Sequence, residues 1–268
     1  MSSIDDYPPG AHCWVDTFQP DTESSARFYG ALFGWSFEDP APMPSGLEGE
    51  YRVARSGGQM VAGLGQAPAG LPAVWTTYIC VEDVNRTVAD ATAAGGDVLV
   101  GPAEAGREGQ LAVLSDPAGV AFGIWQPGER RGAQLVNEPG SWTMSALHTT
   151  ALDEAHAFYG DLFGWKLDRL ADAPLAYWRL PGHVGGQVNQ PMPRDVVAVA
   201  VAIGAAEPTP PHWSISFLVA DCDEAAGKAG SLGGTVLLAP TDAAGFRSAV
   251  LADPQGGVIA ISERRLTD

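Results

Sequence analysis

Asp16 stands two residues after Trp14 in the run His12 to Phe18, whose alternation predicts a β-strand with both side chains on one face. A carboxylate beside an indole wall is partly desolvated. That raises its pKa and suits it to act as a general base or a hydrogen-bond anchor. The other reading of Asp16 is a strand-end carboxylate facing water or Arg107. Tyr78 and Trp125 share the inner-face parity of Trp14 in their own strands. Three such aromatics would hold a flat, largely apolar ligand by stacking and burial, or would simply plug the space between the strands. His148 alternates with Met144 and Ala146, and an imidazole titrating near neutral pH is a second candidate acid/base. His12 and His212, near strand starts, read as rim residues, with metal ligation the alternative. His156 on a helix and His183 in a turn read as structural or exposed.

The elements that would position these groups are written twice. Phe28-Tyr29-Gly30-Ala31-Leu32-Phe33-Gly34-Trp35 returns as Phe158-Tyr159-Gly160-Asp161-Leu162-Phe163-Gly164-Trp165, identical at seven of eight residues. Asp116-Pro117-Ala118-Gly119 returns as Asp253-Pro254-Gln255-Gly256, Gly57-Gly58-Gln59 as Gly185-Gly186-Gln187, and Trp75 as Trp213. Four matches in one order mean a duplicated domain. Within each half a strand leads into a helix and then three strands, and the unit repeats. Asp21 and Asp83 are predicted N-caps, and Gly34 is predicted to stop the first helix in a left-handed conformation. Phe28, Trp35, Trp75, Trp165 and Trp213 are expected to pack beneath the helices. The second-half hairpin is predicted over Ala176 to Val188, with the apolar run Val196 to Ile203 lengthening it or covering a pocket mouth.

The chain of 268 residues is 46% hydrophobic, enough for an ordinary core in each half. Its formal net charge of −17 argues against nucleic acid and anionic membrane as partners. No apolar run is long enough for a membrane span, and the start of the chain shows no basic-then-apolar leader, so a cytoplasmic protein is expected. Cys13, Cys80 and Cys222 lack CxxC spacing and read as reduced thiols, not a disulfide frame or zinc site.

The repeated helix entry, the step Val81-Glu82-Asp83-Val84 and the Asp-Pro-x-Gly turn before the last strand resemble the vicinal-oxygen-chelate superfamily, which includes glyoxalase I, bleomycin-resistance proteins and extradiol dioxygenases. The resemblance is to its tandem two-domain hydroxylase- or glyoxalase-like type, and it covers nearly the whole chain. It implies an α+β fold of two domains, 8–128 and 141–268 with a linker 129–140. Each would be two βαβββ modules forming a curved eight-stranded sheet around a cup. Metal-using relatives place His, Gln or Glu on particular strands of the cup. The matching positions hold Trp14, Thr76 and Gly123 in one half and Met144, Ser214 and Ala260 in the other, which are not serious ligands for a divalent ion. No metal and no cofactor is therefore expected, and Thr76, Met144 and Ser214 join the candidate ligand-binding residues. The function expected is metal-independent binding of a hydrophobic or aromatic small molecule, such as sequestration of an antibiotic or natural product. A natural-product tailoring enzyme (a hydroxylase, cyclase or isomerase) using Asp16 or His148 is the alternative, and a metal-dependent lyase or dioxygenase of glyoxalase type stands third. Tandem domains would replace the dimer of single-domain relatives, giving a monomer or weak dimer.

Overall fold

The computed structural model describes residues 6–44, 47–170, 175–185, 192–204, 206, 209–243 and 245–265. It holds two tandem domains, each built on a mixed sheet with two helices. In the first domain β1 (His12–Gln19) lies at the centre, antiparallel to β6 (Val74–Cys80) and parallel to β5 (Gln59–Gln66). The sheet continues from β5 to β4 (Glu50–Ser56) and β2 (Ser36–Phe37) on one side. On the other side β6 is followed by β9 (Ala121–Pro127), β8 (Gly109–Ser115) and β7 (Asp97–Glu104). The two-residue β3 (Ala41–Pro42) pairs with β4 and makes a ninth strand beyond the eight expected. The second domain repeats the order with β10 (Trp142–Thr149) to β17 (Val258–Arg264), eight strands among the described residues.

Local chemistry sets the helix ends. Asp21 caps α1 (Thr22–Phe33) by accepting from the Ser24 amide, and Asp83 caps α2 (Val84–Ala93) by accepting from the Arg86 amide. Gly34 closes α1 at φ 76°, and Gly164 closes α3 (Leu152–Phe163) at φ 72°. In the second-half hairpin the structure departs from expectation. Its strands are β12 (Leu175–Arg179) and β13 (Val196–Ala202), so the apolar insertion is itself the inner strand. A strand paired on both edges and largely buried favours a continuous apolar run, which the valines and alanines of Val196–Ala202 supply. Gly185 lies in the connection, and Gly186-Gln187 lie outside the described residues.

The two halves do not have separate cores. One cluster joins Val15, Phe28, Tyr29 and Trp35 of the first domain to Phe217, Leu251 and Ile261 of the second. The other joins Ile79, Leu114 and Phe122 to Phe158, Tyr159 and Trp178. The repeated helix thus lays its aromatic face against the partner domain. Trp35 Nε1 donates to the Gly140 carbonyl at 2.6 Å, and Trp165 Nε1 donates to the Gly10 carbonyl at 2.7 Å. No described helix is long and apolar enough to cross a membrane.

Candidate functional site

The concave face of the first sheet encloses a cavity of about 860 Å³. Alternation delivers the wall: Trp14, Asp16 and Phe18 from β1, Tyr51 and Val53 from β4, Thr76 and Tyr78 from β6, and Trp125 from β9. Trp14, Asp16, Thr76, Tyr78 and Trp125 were marked by sequence, and the fold gathers all five in this cup. Asp16 is 3% exposed and does not end the strand in water. Arg107 is paired with Glu129 on the surface instead.

Tyr51 and Arg130 are site residues that sequence reading passed over. The Tyr51 hydroxyl donates to Asp16 Oδ2 at 3.1 Å and accepts from Trp14 Nε1 at 2.9 Å. Two glycines make room for the phenols. A Cβ on Gly63, opposite Asp16 in the neighbouring strand, would overlap the Tyr51 hydroxyl. A Cβ on Gly123 would overlap the Tyr78 ring. Arg130 follows β9, in the stretch expected to be linker. Its guanidinium carbon lies 5.2, 5.7 and 4.9 Å from the ring centroids of Trp14, Tyr51 and Trp125. Trp125 Nε1 donates to the Arg130 carbonyl at 3.0 Å, which holds that segment at the cup. The parity of Tyr51 in β4 was a usable signal, whereas nothing local marked Arg130.

Burial pushes the Asp16 carboxyl up to about 7, although Tyr51, Tyr78 and Arg130 each draw it down. Its Oδ1 has no hydrogen-bond partner among the described residues. The Arg130 side chain is 11% exposed and reaches Glu108 at 3.9 Å, without forming an ion pair with Asp16. Asp16 and Arg130 therefore face the same cavity as an acid and a cation that do not pair with each other. The other acidic lining residues, Glu38, Asp39, Glu48, Glu104 and Glu108, stand exposed at the mouth.

The second cup is differently furnished. Strand register places Ala146 where Asp16 stands, Leu175 for Tyr51, Ser216 for Tyr78 and Ser262 for Trp125. The imidazole of His148 lies 3.0 Å from Ser214 and stacks on His212 at 4.5 Å, with burial lowering its pKa to about 4. Neither His148 nor Ser214 lines the first cup or the smaller cavity of about 390 Å³ that Met144 borders with Trp142, His12 and His183. His12 is corrected from a rim residue to a buried one. It is enclosed by Trp142, Trp165 and Trp213, with Nδ1 2.8 Å from Thr77, because β1 begins at the contact between the domains.

The donor chemistry does not fit a divalent ion. The first cup offers one deeply set carboxylate among phenols, indoles and a guanidinium. Among the described residues no three of His, Cys, Asp or Glu converge.

Comparison with known proteins gives a consistent lineage. The glyoxalase-like domain matches residues 13–125 and again 130–262. The chain is 34% identical over 270 residues to "Putative glyoxylase CFP32" of Mycobacterium tuberculosis, covering 97% of each. It is 32% identical over 277 residues to the anthracycline biosynthesis protein DnrV of Streptomyces peucetius, covering 97% of this chain and 95% of that one. In fold it is similar to the Mn(II)-bound glyoxalase from Novosphingobium aromaticivorans, with a TM-score of 0.62 and 17% identity over 99% of this chain and 84% of that one.

Proposed function

Because the chain belongs to the glyoxalase-like domain family, we propose that its first cup binds a planar polycyclic aromatic molecule without a metal. The observation that carries the reading is the wall itself. Trp14, Tyr51, Tyr78 and Trp125 surround one carboxylate in a cavity whose volume lies in the range that encloses drug-sized ligands. Rigid indole and phenol rings supply large apolar contact and prefer offset or edge-on packing against a flat ligand. The similarity to a protein named for anthracycline biosynthesis supports a polycyclic aromatic as the natural ligand. The donor set supports metal independence: the positions that the family resemblance assigns to metal ligands carry Trp14, Thr76 and Gly123 in this chain. Asp16 is the polar anchor, Thr76 a wall contact, and the second domain a scaffold whose cup lacks the equivalent groups. Its sharing of two cores with the first domain favours a monomer.

A second reading is natural-product tailoring with Asp16 as acid/base, favoured by a carboxyl held near neutrality inside a ligand-sized cavity. Titration with anthraquinone and pyrene ring systems, followed by tryptophan fluorescence and product analysis, tests both. Saturable quenching that disappears in Trp14→Ala supports the site, and conversion of the bound compound supports the enzyme. Absence of quenching by any planar polycycle would reject the aromatic reading.

A further inference from the structure

Two features of the first cup remain unexplained by stacking alone. Asp16 is buried, yet its Oδ1 is unpartnered. A buried polar oxygen without a partner costs free energy until something bonds to it. The Tyr51 hydroxyl is already committed between Trp14 and Asp16 Oδ2, and the Tyr78 hydroxyl, which faces Asp16 and draws its pKa down, does not come within hydrogen-bond geometry of Oδ1. Across the same cavity Arg130 lies over three aromatic rings and forms no ion pair with Asp16. A guanidinium stays charged at any pH of interest. A neutral hydrocarbon would leave the Asp16 oxygen unanswered and give Arg130 no anion besides Glu108 at 3.9 Å.

We infer that the first cup selects ligands bearing an acidic hydroxyl, a phenol or an enol, which shares a single proton with Asp16 while Arg130 faces the remaining negative charge. The inference rests on the aromatic-ligand reading and specifies which aromatics are taken. The charges balance. When Asp16 is ionised, the hydroxyl donates to Oδ1 and no proton leaves the complex. When Asp16 is protonated, two acidic protons meet one site, and one of them departs to solvent. The bound pair carries one negative charge in either case, and Arg130 neutralises it. The titratable or charged groups facing Asp16 are Tyr51 on β4, Tyr78 on β6 and Arg130 after β9. Gly63 on β5 brings none. Burial holds the carboxyl near 7, so the change in proton release falls within an accessible pH range.

The test is calorimetric titration with 1-hydroxypyrene and with 1-methoxypyrene, in buffers of different ionisation enthalpy. Binding of 1-hydroxypyrene at pH 6 should release close to one proton, falling close to none at pH 8, and Asp16→Asn should abolish the release at pH 6. The methyl ether should bind about tenfold more weakly, the loss of roughly one hydrogen bond. Arg130→Met should weaken the phenol more than the ether. Equal binding of the two compounds without proton release would overturn the inference and leave the aromatic reading standing. If neither pyrene binds, both fall together.

Discussion

The hydroxyl of Tyr29 donates a 2.6 Å hydrogen bond to Oδ2 of Asp253, a residue of the other domain. The two belong to the two most visible repeated motifs, the aromatic helix and the Asp-Pro-x-Gly turn. Asp253 Oδ1 meanwhile accepts from the amides of Gln255 and Gly257, so one carboxylate closes its own turn and anchors the opposite helix. Tyr159 and Asp116 form the reciprocal bond at 3.3 Å. The duplication is therefore held as a pair by the same residues that reveal it in the sequence.

Tyr29→Phe should destabilise the protein by about 2 kcal/mol, because it removes a buried bond to a carboxylate and strands Trp75 Nε1, which donates to that hydroxyl at 2.9 Å. Tyr159→Phe should cost about half as much, since its bond is longer. Denaturant unfolding of the two variants checks the ranking, and equal costs would show that the bond lengths do not order the two contacts.

Stability should carry the signature of Asp16. Its folded-state pKa of about 7 lies above the ordinary carboxylate value of 3.8, so the folded protein holds the proton more tightly than the unfolded chain. That contribution is fully present below about pH 4 and is lost as pH rises toward 7. Asp16→Asn should therefore flatten the pH dependence of Tm between pH 4 and 8. It should also melt higher than the parent at the alkaline end.

His12 works in the opposite sense. Burial among three indoles lowers its pKa to about 3 from 6.5, with no charged group alongside to offset it. The stability it contributes is present above about pH 6.5 and drains as pH falls toward 3, at about 1.4 kcal/mol per pH unit. Urea titrations at pH 6.5 and 4.5 should show a smaller loss for His12→Gln than for the parent chain.

Gly63→Ala is the sharpest structural test of the cup. Its methyl would overlap the Tyr51 hydroxyl and approach Asp16 Cβ to 2.8 Å, so the phenol must leave the carboxylate. Loss of that contact should weaken binding of a hydroxylated polycycle on the order of tenfold, the effect of one displaced hydrogen bond. His148→Ala, in the other domain, should leave the same affinity unchanged.

Much of the fold was legible because its signals are local. The caps Asp21 and Asp83, the left-handed Gly34 and the parity of Trp14, Tyr78 and Trp125 depend on residues a few positions apart. The hairpin of the second half was misplaced because a Gly-Gly-Gln match resembled a turn, while the strand it should have led into lies farther along, at Val196–Ala202.

By itself the sequence determined the duplication, the two-module plan of each half and the inner face of the first cup, since periodicity and turn chemistry act over short distances. Only the tertiary structure decided that His12 is buried, that Arg130 lies over the aromatic wall, and that each helix completes the other domain's core. Those outcomes depend on surfaces that meet across the chain, where closeness in space has no counterpart in spacing along the sequence.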